Sequence, residues 1–278
     1  MDGLLEHMYS RFWIPLQVVW PALVAAVALA VAGGIAGVFV VLRREALMVL
    51  AMPQIVMLGA AIGLRFDMPA LPPALATAAA ALGLIGWFRH RDRGDLILPA
   101  LYVGGLSLAI LMVANAGAHL TEVQNLFCGV DVAVRTDEAI FGSAILLIAG
   151  GICGILWRRW LLFAQASIAA QLAGLHPVRW NALFLVLLGI ILVVATNTVG
   201  TVMVWTLVFL PPATVLPRAR SLPVAMAAAA MVGIACVVLG FALSVTMGWP
   251  FSHSVAGAGF CLFLAWHVLG HALGRRTA

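Results

Sequence analysis

The chain is expected to be an all-α, polytopic membrane protein, and three observations lead there. Of its 278 residues 64% are hydrophobic and 9% charged, with a mean hydropathy of +1.13; a soluble domain of that composition would expose too much apolar surface to stay in solution. The apolar residues come in continuous runs rich in Ala, Leu and Gly, whereas barrel strands would alternate apolar and polar residues over about ten positions. The runs are bounded by arginines. At about 20 residues per span, the length holds roughly eight to ten helices. Residues 1–278 read as a single integral membrane domain.

Nine runs are predicted spans, eight if the seventh is re-entrant. The first, Trp13 to Leu42, ends at Arg43 and Arg44, and the second, Ala46 to Leu64, at Arg65 and Asp67. The third, Ala70 to Phe88, runs into RHRDRGD, and the fourth covers Leu96 to Ala116. A polar stretch too interrupted to span follows, then the fifth, Ala139 to Leu156, which stops at Arg158 and Arg159. A weakly amphipathic segment, FAQASIAAQLAGLHP, leads to Arg179 and the sixth span, Ala182 to Thr196. The seventh, Val199 to Leu216, carries Gly200, Pro211 and Pro212; a broken helix there is tolerable where protein or a water-filled cavity covers the freed backbone groups. The eighth runs from Pro223 to Trp249 and the ninth from Val255 to Leu273.

The formal charge of +5 comes from arginine alone, since the chain has no lysine. The arginines are scattered between apolar runs, a topology signal rather than a nucleic-acid surface. Strict alternation puts Arg43/Arg44, RHRDR, Arg158/Arg159, Arg179, Arg218/Arg220 and Arg275/Arg276 on one side, with Arg11, Arg65 and Arg135 opposite. By the positive-inside rule the N-terminus is outside and the C-terminus cytoplasmic. The N-terminal MDGLLEHMYSRFW is acidic and lacks a basic n-region, so no removed signal peptide is expected. Cys128, Cys153, Cys236 and Cys261 form no CxxC pair, and thiols within spans behave as small apolar residues.

Few polar groups interrupt the spans. Gln54 lies in MPQIVM, after Pro53 and among Met48, Met52 and Met57. It reads either as a polar group facing a pathway, with thioethers offered to a soft cation, or as an amide satisfied by a neighbouring helix. The stretch from Ala118 to Glu138 holds His119, Glu122, Gln124, Asn125, Asp131, Asp137 and Glu138, a docking surface for a delivery protein or an ordinary solvated loop. His267 and His271 are four apart on the last helix, a spacing that suits a metal, but beside Arg275 and Arg276 at the helix end such histidines are usually polar anchors. His90, His176 and His253 stand alone. No GxSxG, HExxH or GxxxxGK[ST] occurs, so no enzyme activity is expected, and ATP, if used, is hydrolysed on another chain.

Five pieces stand out in order along the chain: GVFVVLRR at 37–44 with MLGAAIGL at 57–64, DLILPALYVGGLSLAI at 95–110, LFCGVDVAVRTDE at 126–138, QASIAAQLAGLHPVRWN at 165–181 and VGTVMVWTLVFLPPATV at 199–215. Taken together they resemble the ABC-transporter permeases for zinc, manganese and iron. The resemblance implies a homodimeric permease in a bacterial inner (plasma) membrane. Two ATPase subunits, which carry ATP and Mg, would dock on the cytoplasmic side, and a periplasmic or extracellular solute-binding protein would deliver a metal ion as cargo. It implies pathway walls from the second, fourth and seventh spans, with Gln54, Met52, Met57, Tyr102, Ser107, Asn197 and Thr201 as their residues. It places coupling to the ATPase at Gln165, Gln171, Gly174 and His176. The chain departs from the family where the second helix usually carries Asp and His, having Leu50 and Gln54, and where the coupling segment usually carries an acid, having Ile168 and Ala169. A metal chelate or small organic solute therefore stands as an alternative cargo on the same fold. An ion-coupled secondary transporter is a further alternative, against which stands the scarcity of ionisable residues in the spans.

Overall fold

The computed structural model describes residues 14–89, 94–114, 135–165 and 176–274. Ten α-helices make up the described chain: α1 Ile14–Leu42, α2 Ala46–Arg65, α3 Leu71–Arg89, α4 Gly94–Ala114, α5 Thr136–Ile155, α6 Trp157–Gln165, α7 Pro177–Val199, α8 Thr201–Val215, α9 Leu222–Met247 and α10 Phe251–Gly274. A short 3-10 turn, Leu216–Arg218, follows α8. Eight of the helices are long and apolar enough to cross a membrane. The predicted fourth span, within α4, has a shorter apolar stretch, Ile97–Met112.

Two tight connections are built from residues other than glycine. At the end of α1, Arg44 takes φ 56, Glu45 N–H donates to Val40 O at 2.9 Å and Arg44 N–H to Val41 O at 3.2 Å. These are the two bonds of a Schellman cap, which satisfies the last carbonyls of a helix and lets the next begin at once. The end of α2 repeats the pattern: Asp67 has φ 52 and Met68 N–H reaches Gly63 O at 2.8 Å. Between α7 and α8 a single residue, Gly200, reverses the chain with φ 84 and ψ 166, a region that a side chain at Cβ excludes.

α1 is the pillar of the bundle, and small residues let three helices approach it closely. Ala32 meets Gly150 of α5, where an added Cβ would come within 2.7 Å of the Ala32 backbone. Gly34 lies against Ala230 of α9, at 2.6 Å on the same measure, and Ala30 lies against Gly233. Gly33 and Gly37 face α8 at the carbonyls of Leu207 and Val208. Those two carbonyls are the ones that Pro211 and Pro212, lacking N–H groups, cannot serve. The glycine face of α1 covers them with Cα hydrogens, a weak but favourable contact. With its freed carbonyls covered, α8 runs through both prolines as one helix, so of the two readings of the seventh span the unbroken one holds. The fifth span ends as expected, at Ile155, and a further short helix, α6, follows it over residues 157–165.

Gly37→Val is expected to abolish folding, because a branched side chain would strike the Val208 carbonyl and the Pro212 ring. The loss is read as disappearance of the monodisperse peak in detergent. Gly83, where an added Cβ meets nothing within 4 Å, is the control: Gly83→Ala should fold normally and gain up to about 1 kcal/mol in a helix.

Candidate substrate pathway and its anchored end

α2 is one of the most enclosed helices of the bundle. Its hairpin partner α3 packs at Gly59 against Pro73 and Ala74, and Thr77 Oγ1 donates to Ile55 O at 3.0 Å. On another side, Gly105 of α4 comes against the backbone of Gln54, where a Cβ would lie 3.0 Å from the Gln54 carbonyl carbon. Gln54 is 1% exposed, and its Oε1 has no hydrogen-bond partner. The neighbouring helices therefore do not satisfy this acceptor.

One turn before Gln54, Leu50 is 38% exposed and lines a cavity of about 270 Å³ with Ala46, Val49, Trp205, Thr206, Phe209 and Leu210. The wall is neutral. Thr206 Oγ1 is turned back to Val202 O at 2.8 Å, and the buried Nε1 of Trp205 has no partner. Trp205 and Phe209 went unmarked in the sequence, where their one signal is aromatic residues four apart on one helix face.

The expected pathway residues fall into separate groups. Met52 and Met57 are buried on α2, and Met57 packs with Ala61 and with Ala109 of α4. Tyr102 is half-buried on α4, and Ser107 is exposed on it. Asn197 and Thr201 flank the Gly200 joint, where Asn197 Nδ2 donates to Val193 O at 2.9 Å and Thr201 is buried. Of the expected coupling residues, His176 is the exposed N-cap of α7 and Gln165 ends α6; Gln171 and Gly174 lie outside the described residues. So do His119, Glu122, Gln124, Asn125, Asp131, Cys128 and His90, while Asp137 and Glu138 form the first turn of α5, where acids favour the helix dipole. His267 Nδ1 lies 2.9 Å from Phe263 O, and the His271 side chain lies outside the described set. No group of three His, Cys, Asp or Glu that could hold a metal occurs among the described residues. Cys153, Cys236 and Cys261 are free thiols.

At the α1–α2 turn, buried charge ties several helices together. Arg43 Nε pairs with Glu45 Oε1 at 3.2 Å, and Glu45, at the N-cap of α2, is buried. Arg43 Nη2 donates to Asn181 Oδ1 of α7, and its guanidinium lies 4.6 Å from the Phe184 ring centre. Phe39, Trp160 of α6 and Phe184 meet edge to face, with centroids 5.6 Å, 5.5 Å and 6.3 Å apart. Trp160 is wholly buried, while Arg158 and Arg159 on the same short helix face outward. Sequence reasoning placed Arg43 at the end of a span and missed Asn181, 138 residues away.

The described helices, eight of them long and apolar enough to cross a membrane, make this a polytopic membrane protein. The profile of the ABC-3 family, described as the ABC 3 transport family, matches residues 16–269, and the chain belongs to that family. It is a transport subunit, not an enzyme. It is 28% identical over 251 residues to the manganese transport system membrane protein MntC of Halalkalibacterium halodurans, covering 88% of this chain and 81% of that one. It is 25% identical to the manganese import system permease protein ScaB of Streptococcus parasanguinis, over 82% of this chain and 83% of that one. Its fold is shared with a chain of PsaBC from Streptococcus pneumoniae, solved in complex with Fab, at a TM-score of 0.79 and 21% identity, covering 96% and 95% of the two chains.

Gln54→Leu is expected to stabilise the protein. Removing an unpaired buried amide relieves a desolvation cost of about 1–3 kcal/mol, so the melting temperature in detergent should rise or hold. A clear fall would show that the amide is satisfied in the membrane.

Proposed function

We propose that this chain is the membrane-spanning permease of an ATP-binding-cassette importer for a transition-metal ion, with manganese as the first cargo to test. What carries the reading is the likeness to MntC and ScaB, both named for manganese, across more than four-fifths of each chain. Two ATPase subunits would supply ATP hydrolysis, a second copy of the permease would complete the pathway, and an external solute-binding protein would deliver the ion. The arginine asymmetry supports a cytoplasmic C-terminus and an external N-terminus in a bacterial plasma membrane. The α1–α2 turn, α6 and the start of α7 then lie on the ATPase side, with His176 at its edge. Alternating access would proceed by rocking of packed helices around the seam of α2, α4 and α8. Gln54, Met52 and Met57 would offer neutral oxygen and sulfur to the passing ion.

In a bacterial host deleted for its own manganese uptake, the chain expressed with its ATPase and binding protein should restore accumulation of radioactive manganese. Excess unlabelled manganese should compete better than zinc. No uptake above an ATPase-dead control would sink the proposal. In the same assay the double variant Gln54→Ala, Tyr102→Phe should lower uptake about ten-fold, as expected where positioned contacts in a pathway are lost. Undiminished uptake would remove these two residues from the pathway.

A further inference from the structure

The charged cluster at the end of α1 is an expensive way to hold helices together. Arg43 and Glu45 have side chains only 13% and 6% exposed. Removing such a pair from water costs as much as or more than their attraction returns, and well-packed apolar residues would bind the helices at least as tightly. What the pair adds is direction. The guanidinium is a planar fork with fixed donor angles, and here it addresses Glu45 at the start of α2, Asn181 and the Phe184 face on α7. Phe184 in turn meets Trp160, the buried anchor of α6.

We propose that Arg43 is a positioning residue for transport, fastening α6 and α7 to the first turn of α2 so that the three turn as one body. The proposal rests on the permease reading above. The Schellman cap at Arg44 and Glu45 leaves no slack between Arg43 and α2. From Glu45 the helix continues unbroken to Leu50, in the cavity wall, and to the buried Gln54, about 13 Å further on at 1.5 Å per residue. A shift of α6 and α7 is thereby delivered to the cavity wall as a rotation of α2. Without the Arg43 contact the same shift could be absorbed between the helices before it reached the cavity wall.

The test uses the permease co-expressed with its ATPase, reconstituted in vesicles and supplied with its binding protein, with radioactive manganese uptake and phosphate release read together. Asn181→Leu removes the acceptor and leaves the ion pair in place. The double variant Arg43→Met, Glu45→Leu removes both charges and leaves no lone buried charge. Both should co-purify with the ATPase as the unmodified chain does, while ions moved per ATP hydrolysed fall about ten-fold, the scale of an ordinary coupling free energy. Asn181→Asp, which keeps an oxygen facing the guanidinium, should retain the ratio. An unchanged ratio in the first two variants overturns the proposal. So does a parallel loss of uptake and hydrolysis, which marks a passive strut, and so does loss of folded protein in all three, which marks a folding determinant alone. Failure of the unmodified complex to move manganese would instead sink the permease reading.

Discussion

The bundle depends on the contact between the glycine face of α1 and the proline-freed carbonyls of α8. In a lipid environment helix association gains little from the hydrophobic effect and relies on close backbone packing and on satisfying polar backbone groups. Gly33 and Gly37 do both at once, giving α8 a backbone-close neighbour and covering the Leu207 and Val208 oxygens. Everything on the far side of α8 inherits that placement. α10 packs on α8 through Gly259 beside Thr206, and α9 is held to α1 at Gly34 and to α10 at Gly240. The cavity wall of Trp205 and Phe209 faces Leu50 because α8 cannot move away from α1.

The two ends of α2 are treated differently. Its start is fixed by charge, with a buried Glu45 bound to Arg43 and close to Asn181 through it. Its middle is fixed by close packing, with Gly59 and Gly105 bringing α3 and α4 onto its backbone, and by the Thr77 hydroxyl bound to the Ile55 carbonyl. Between them lie Leu50 and Gln54, a partly open apolar side chain and a buried acceptor with no donor. A protein interior normally pairs such an acceptor. Its survival in an otherwise apolar seam is a local conflict of the kind that concentrates at functional sites.

Much of this was legible in the sequence. Continuous apolar runs between arginines gave helix positions to within a few residues, because span length and loop charge are set by the bilayer and not by tertiary detail. The α1–α2 and α2–α3 turns were legible only as short breaks. Their left-handed residues are Arg44 and Asp67, and no local rule marks an arginine for that conformation as glycine would be marked. The continuity of α8 was hidden for a different reason. Two adjacent prolines argue for a break, and the argument fails only because residues some 175 positions earlier cover the freed carbonyls. Gln54 stands out in the sequence as the polar interruption of its span, but whether it has a partner depends on the helices packed around it. The Arg43–Asn181 bond joins residues too far apart in the chain for any periodicity to connect.

The neutral cavity wall bears on how an ion would cross it. A pair of charged ligands holds a divalent ion strongly, and a site from which cargo must also depart cannot hold it too well. Leu50, Thr206 and Trp205 offer no charge, and an amide or thioether nearby is a weak ligand beside a carboxylate or imidazole. Such a wall lowers the affinity of the crossing step without closing it. It also discriminates little between ions of one charge and similar size, since discrimination comes from ligand number, hardness and geometry. Selectivity in a system built on this chain is therefore expected to lie where strong ligands are gathered, ahead of the membrane step. If α2 turns as proposed, the membrane step would be governed by how far it turns, and the charged anchor at Arg43 would then matter more for transport than any single side chain on the wall.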